Sequence, residues 1–327
     1  MLLLGQSCSA WPLGFEHFCA YASDMFGLGR MLYQDKDMQA GRFSSPPQPV
    51  RLVSPRAAKG GLVVACPHSG RYYPDALLAS SRLDPLGLRR SEDAFVDELF
   101  SAAPAAGAFL MTTDYARAFV DLNRDADELD AVLVVDLPPE KAGNVSPRVD
   151  AGLGVIPRTV GDGIEIYTHP LSFEDVQARL ADIYVPWHSA LDRILTDVCD
   201  ETGHVVLLDC HSMPCAASGV PSRDIVLGDR YGAACAPILM DEAFSFLSGR
   251  GFKVARNNPY AGGYAIQRYG RPDKSRHALQ IEINRSLYMV EGALTKKSAF
   301  GDLQALFEEF VAHLAIASQA LSPSKTG

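Results

Sequence analysis

The chain has 327 residues, 21% charged and 47% hydrophobic, a balance that excludes a disordered protein and is enough for a sizeable core. A net charge of −9 and a pI near 5.4 exclude broad electrostatic attraction to nucleic acid or an anionic membrane, so an anionic small molecule would have to be met by local arginines. Seven cysteines without a Cys-x-x-Cys pair argue against a disulfide framework, and a reducing cytoplasm is the expected compartment.

The opening Met1-Leu2-Leu3-Leu4-Gly5-Gln6 has too few apolar residues and no basic lead for a secretory signal, and no run reaches the length of a transmembrane helix. Residues 1–58 lack a sustained period and finish in the proline-rich Ser44-Ser45-Pro46-Pro47-Gln48-Pro49; they are read as an arm or linker, and residues 59–327 as one α/β domain. Residues 61–66 form a short apolar strand that runs directly into Pro67-His68-Ser69-Gly70. A helix is predicted from Ser91, whose hydroxyl would cap it, with Glu92, Asp93 and Asp97 near its first turn. Residues 117–122 predict a second strand, ending in Asn123-Arg124-Asp125. Residues 130–162, rich in Pro and Gly, predict a long surface excursion of the kind that forms lids or rims.

From Ser172 to Val198 the apolar positions Val176, Leu180, Ile183, Trp187, Leu191, Ile194 and Val198 fall three and four apart, which predicts a long amphipathic helix with His188 inside it. The apolar run 204–208 reads as a buried strand ending at a second His-bearing corner, Asp209-Cys210-His211-Ser212-Met213-Pro214. After it come a strand at 224–229, a helix over 231–247, an extended stretch at 252–255 and a turn-rich loop at 257–264. Residues 278–285 alternate as a strand with one face buried and one usable, and 303–321 close the chain as an amphipathic helix. Strands alternating with helices indicate an α/β sheet with helices on both faces.

Chemistry gathers at strand ends, where open α/β sheets bind ligands. His68 and His211 occupy matching His-Ser corners, and two imidazoles with one acid and one water make a catalytic zinc set. On the residues alone the alternative, two separate corners whose histidines cap turns, stays open. The acid is Asp93, Asp97 or Glu92, each of which could equally be a carboxylate at a helix start. Glu282, between Ile281 and Ile283, is costly to bury unless it is paired, metal-bound or facing a cleft, and can act as a general base. The guanidinium of Arg124 beside the Asn123 amide suits a carboxylate, and Arg117 suits a developing oxyanion. Cys210 is expected to turn into the core, on the opposite face from its neighbours. His188 is expected to pack within its helix.

Together, Pro67-His68-Ser69-Gly70, the 117–124 segment, Asp209-Cys210-His211-Ser212-Met213-Pro214, Asn258-Pro259-Tyr260-Ala261-Gly262-Gly263-Tyr264 and Gln280-Ile281-Glu282-Ile283-Asn284-Arg285 resemble the N-formylglutamate amidohydrolase family, over about residue 60 to the C-terminus. That family is similar to zinc carboxypeptidases and aspartoacylase-type deacylases. The resemblance implies a three-layer α/β/α fold with a mixed central sheet of the zinc-carboxypeptidase (phosphorylase/hydrolase-like) type. It also implies a cytoplasmic, zinc-dependent enzyme of histidine degradation that cleaves N-formyl-L-glutamate, or a similar small anionic N-acyl amino acid, to formate and glutamate. The roles it carries over are His68 and His211 on Zn²⁺, Glu282 as base and Asn123 and Arg124 on a substrate carboxylate, with Ser212 following the last histidine at the substrate; for the acidic ligand the first choice is Asp93 and the next Asp97, while Arg117 would share the oxyanion with the metal and Tyr264 would close over the substrate. One departure stands out: where carboxypeptidases carry Glu three residues after the first histidine, this chain has Arg71. A related deacylase, or a ligand-binding protein without turnover, would share most of this pattern.

Overall fold

Every predicted strand except the one at 117–122 finds a place in one sheet. In the computed structural model, which describes residues 46–143, 146–215 and 223–321, the strands are β1 (Arg51–Val53), β2 (Leu62–Cys66), β3 (Phe109–Thr112), β4 (Val205–Met213), β5 (Ile225–Gly228), β6 (Val254–Arg256) and β7 (Arg276–Asn284). Their order across the sheet is β1-β3-β2-β4-β7-β5-β6. The four central strands, β3, β2, β4 and β7, run parallel; β1 pairs antiparallel with β3, and β5 antiparallel with β7, so the sheet is mixed. The predicted arm lies outside the described residues up to residue 45, and its remainder contributes the edge strand β1.

The period of two along the strands sorts side chains into two cores. Leu62, Val64 and Cys66 of β2, with Val206, Leu208 and Cys210 of β4, face one layer, where Phe307, Phe310 and Leu314 of the closing helix pack. Val63 and Ala65, with Val205 and Leu207, face the other, under Trp187, Leu191, Leu195 and Val198 of helix α1 (Val185–Thr202). The predicted 172–198 helix is a helical run in three parts, with Phe173–Arg179 and a π-type turn at Leu180–Tyr184 leading into α1. It starts at Ser172, whose hydroxyl accepts from the Asp175 N–H, and stops at Gly203, whose φ of 80° suits a residue without Cβ. The three-layer α/β/α expectation holds.

Four local expectations are corrected. The strand drawn over 204–208 continues to Met213, because β7 pairs with it along its whole length. His211 therefore lies within the strand rather than at a corner after it. The helix drawn from Ser91 does not form: the Asp93 N–H donates to the His68 carbonyl and Phe95 adopts φ 65°, so helix resumes only at Val96–Leu99. The 117–122 segment is not a strand; its Asp121 N–H goes to the Val155 carbonyl, and its apolar residues plug a core instead of joining a ladder. The helix drawn over 231–247 begins only at Pro237, where α2 (Pro237–Ser248) starts.

His188 sits where the helix pattern places it, buried, with its Nδ1 2.8 Å from the Tyr269 hydroxyl. Burial, then the nearby Arg268 charge, pushes its imidazole down to about 3. An unfolded histidine titrates near its model value of 6.5, so stability is full above that pH and is lost as pH falls through the window from 6.5 towards 3. The slope is at most about 1.4 kcal/mol per pH unit. NMR of the His188 ring should accordingly show no titration between about pH 8 and pH 4; a midpoint near its ordinary value would refute this.

Candidate active site

The face of the sheet that is apolar under α1 turns polar towards the carboxyl ends of its central strands. Along β4 that face reads Val205, Leu207, Asp209, His211; along β7 it reads Ala278, Gln280, Glu282. Parallel register sets His211 directly beside Glu282 and Asp209 beside Gln280. His68 arrives two residues after β2 ends, and the bond from the Asp93 N–H to its carbonyl, 3.0 Å, brings Asp93 to the same point. All four residues of the resulting core, His68, Asp93, His211 and Glu282, are buried.

Asp93 lies between the two imidazoles. Its Oδ2 is 3.0 Å from His211 Nδ1 and 3.3 Å from His68 Nδ1, and one ligand atom from each of the three residues falls within 4.8 Å of the others. His68 Nδ1 is buried without a hydrogen-bond partner. The opposite ring nitrogens are both held: His68 Nε2 lies 2.8 Å from Asp121 Oδ1, and His211 Nε2 lies 2.8 Å from Asp209 Oδ2. Two Nδ1 atoms and a carboxylate turned to one point, with a carboxylate behind each imidazole to fix its tautomer, could hold a divalent metal ion. The set fits a cation such as zinc.

The charges agree. Burial opposes ionisation of Asp93, but His211 and His68 outweigh it and hold the carboxyl well below its usual range. Burial likewise opposes charge on His211, and Asp209, then Asp93, outweigh it, raising the imidazole well above its ordinary value. Burial raises Glu282 to about 7, with His211 pulling it down and Asp93 pushing it up.

The other acids near Asp93 are engaged elsewhere. Glu92 accepts from Arg89 Nε at 2.9 Å and from the Tyr73 hydroxyl at 2.6 Å, while Asp97 pairs with Arg71 at 2.9 Å. Arg71, in the place of the expected acid, turns away to Asp97 and Glu98 with its guanidinium over the Phe95 ring. Asp93 itself is steadied by Arg285, whose Nη2 lies 3.2 Å from its Oδ1, and by the Ser212 hydroxyl at 3.3 Å.

Four residues assigned to substrate by sequence have partners inside the fold. Asn123 Nδ2 donates to Asp209 Oδ2 at 3.1 Å and lies 3.0 Å from His211 Nε2, while its Oδ1 accepts from the Ala265 N–H, so both ends of the amide are engaged. Arg124 donates to the carbonyls of Leu153 and Asn123. Ser212 is bonded between Asp93 and Arg285. The Tyr264 hydroxyl accepts from Arg268 at 2.7 Å and its ring stands edge-on to His188. The phenol of this loop that feels the cluster is Tyr260: burial, then the charge of Glu282, raises it, and Arg285, Asp93 and Arg117 also act on it. Arg117 donates from Nε to Asp121 at 2.9 Å, and its side chain stays 22% exposed within the field of Asp93 and Glu282. Cys210 is buried with Cys66 in the opposite core, its thiol raised well above the usual range by burial, as alternation predicts.

Sequence reading did not assign roles to Asp209, Gln280, Arg285 or Tyr260. Asp209 and Gln280 carried a usable signal, since a polar side chain two residues before His211 or Glu282 must share its face of the strand. No described helix is long and apolar enough to cross a membrane.

A sequence profile described as N-formylglutamate amidohydrolase matches residues 60–289. The chain is 29% identical over 243 residues to an N-formylglutamate deformylase of Pseudomonas putida, covering 70% of this chain and 82% of that one. It is 28% identical over 251 residues to the N-formylglutamate deformylase of Pseudomonas aeruginosa, covering 74% and 87%. The crystal structure of an N-formylglutamate amidohydrolase from Ralstonia eutropha superposes with a TM-score of 0.78 at 34% identity, covering 82% of this chain and 98% of that one.

Proposed function

Because the chain belongs to the N-formylglutamate amidohydrolase family, and so is a hydrolase of amide C–N bonds, we propose that it is a metal-dependent deformylase that converts N-formyl-L-glutamate and water to formate and L-glutamate. What carries the reading is the pair of Nδ1 atoms meeting at Asp93 with Glu282 beside His211 in register. His68, Asp93 and His211 would hold the ion, with zinc the first candidate. When bound there, such an ion supplies a Lewis acid that polarises the formyl carbonyl and makes water easier to deprotonate.

The remaining steps fall to the chain's own side chains. Glu282 takes a proton from the attacking water as the new C–O bond forms, and passes it to the amide nitrogen as the C–N bond breaks, so that formate and the amino group of glutamate leave together. Burial holds this carboxyl at about 7, near the acidity at which one group can both accept and return a proton around neutrality. Arg117 faces the charge that develops on the formyl oxygen, and Asp121 aims it from behind. Asp121 and Asp209 keep the two imidazoles oriented. Asn123 acts on His211 through Asp209, and Tyr260, which lies within the field of Glu282 and Asp93, is the loop phenol we propose at the substrate in place of Tyr264.

The test is product analysis. Zinc-loaded protein should release formate and glutamate in equal amounts from N-formyl-L-glutamate, lose turnover on chelation and regain it on zinc addition. Retained turnover after complete metal removal would reject the metal requirement. Faster release from N-acetyl or longer N-acyl glutamates than from the formyl compound would reject the deformylase assignment.

A further inference from the structure

We propose that Gln280 is a positioning residue that orients Glu282 and ties it to the loop carrying Tyr260. The proposal rests on the reading of Glu282 as the general base.

Gln280 and Glu282 lie two apart on β7, so both project from one face, and both are buried. The chemistry of its neighbours fixes which way round the Gln280 amide sits. The Gly263 N–H can only donate, and it meets Oε1 at 2.7 Å. That leaves Nε2 for the carboxylate, and Nε2 donates to Glu282 Oε1 at 2.9 Å. One amide thus engages the loop's backbone at one end and the base at the other. With one Glu282 oxygen held by this bond, the second oxygen is left for a water and a leaving nitrogen.

The far side of the loop is held in the same manner. Asn123 Oδ1 accepts from the Ala265 N–H at 2.7 Å while its Nδ2 reaches Asp209 and His211. The fit is tight, since a Cβ on Gly263 would fall 2.6 Å from Asn123 Nδ2. Tyr260 stands three residues before Gly263, so its loop is bonded to the base through Gln280 and, through Asn123, to Asp209, the carboxylate behind the proposed metal ligand His211. An aliphatic residue at 280 would keep the strand while leaving the Gly263 N–H unbonded.

Two variants test this. Gln280→Met keeps the length and removes both bonds; Gln280→Glu keeps an acceptor for Gly263 and replaces the donor facing Glu282 with a second acid. With full metal content, both should lower kcat at least about tenfold while KM stays within about threefold, as misplacement of a base does. Amide exchange at Gly263 should quicken in Gln280→Met and stay near wild type in Gln280→Glu. Wild-type kcat in Gln280→Glu would overturn the link to the base and leave a loop role only. Wild-type kcat in Gln280→Met would overturn the whole proposal, as would metal loss that matches the loss of activity. Should Gln280→Met fail to fold, Gln280→Glu decides. Glu282→Gln is run alongside: if it is fully active, the general-base reading fails, whereas an inactive Glu282→Gln beside a normal Gln280 pair defeats only the present proposal.

Discussion

Glu282→Gln is expected to lower kcat on N-formyl-L-glutamate by about 10²–10⁴-fold, the usual contribution of a positioned general acid–base group. KM should change little, because the substitution removes a proton acceptor and no proposed contact to the substrate's carboxylates. The change is nearly isosteric, and its amide can still meet Gln280 Nε2, so folding and the contacts of His211 are preserved. Metal content should therefore remain at the wild-type level. The decisive comparison is single-turnover formate release by the two proteins at equal metal occupancy. A loss smaller than about tenfold would mean that another group moves the proton, and would remove Glu282 from the reaction.

How much of this was legible beforehand differs residue by residue. His68 and His211 could be paired from sequence because each comes after an apolar run that forms a buried strand, and two parallel neighbours deliver their carboxyl ends to one edge of the sheet. Glu282 could be singled out because an acid flanked by isoleucines is expensive without a purpose. For the proposed third ligand Asp93 could be put first but not separated from its neighbours, since Glu92, Asp93 and Asp97 look alike as acids at a helix start. What separates them is the missing helix: Asp93 is drawn to the His68 carbonyl, and its neighbours go to Arg89 and Arg71. The 117–122 segment misled because its apolar residues mimic a strand, whereas tertiary contacts hold it as irregular chain that presents Asp121. The proposal of Tyr260 over Tyr264 turns on a helix, Tyr264–Tyr269, that begins after the glycines and carries Tyr264 towards His188. Loop composition holds no sign of that.

The choice of acid is also where the second large effect is expected. Asp93→Asn should reduce bound metal well below wild type and bring formate release to background, because it removes the one carboxylate shared by both Nδ1 atoms. Asn keeps the size and an acceptor for Ser212 and Arg285, so the variant is expected to fold. Asp93→Ala goes further, leaving the buried Arg285 and His211 without their common anion, a loss of about 3–5 kcal/mol for breaking a buried pair. Glu92→Gln and Asp97→Asn separate stability from metal. Glu92 is fully inside and bonded to Arg89 and Tyr73, so its substitution should lower the melting temperature while metal stays stoichiometric. Asp97, about a quarter exposed beside Arg71, should show little of either effect. Metal analysis of the four purified variants, with melting curves recorded without metal, resolves the question. Full metal in Asp93→Asn together with loss in Asp97→Asn or Glu92→Gln would move the ligand to another acid and would require the 92–97 segment to rearrange when metal binds.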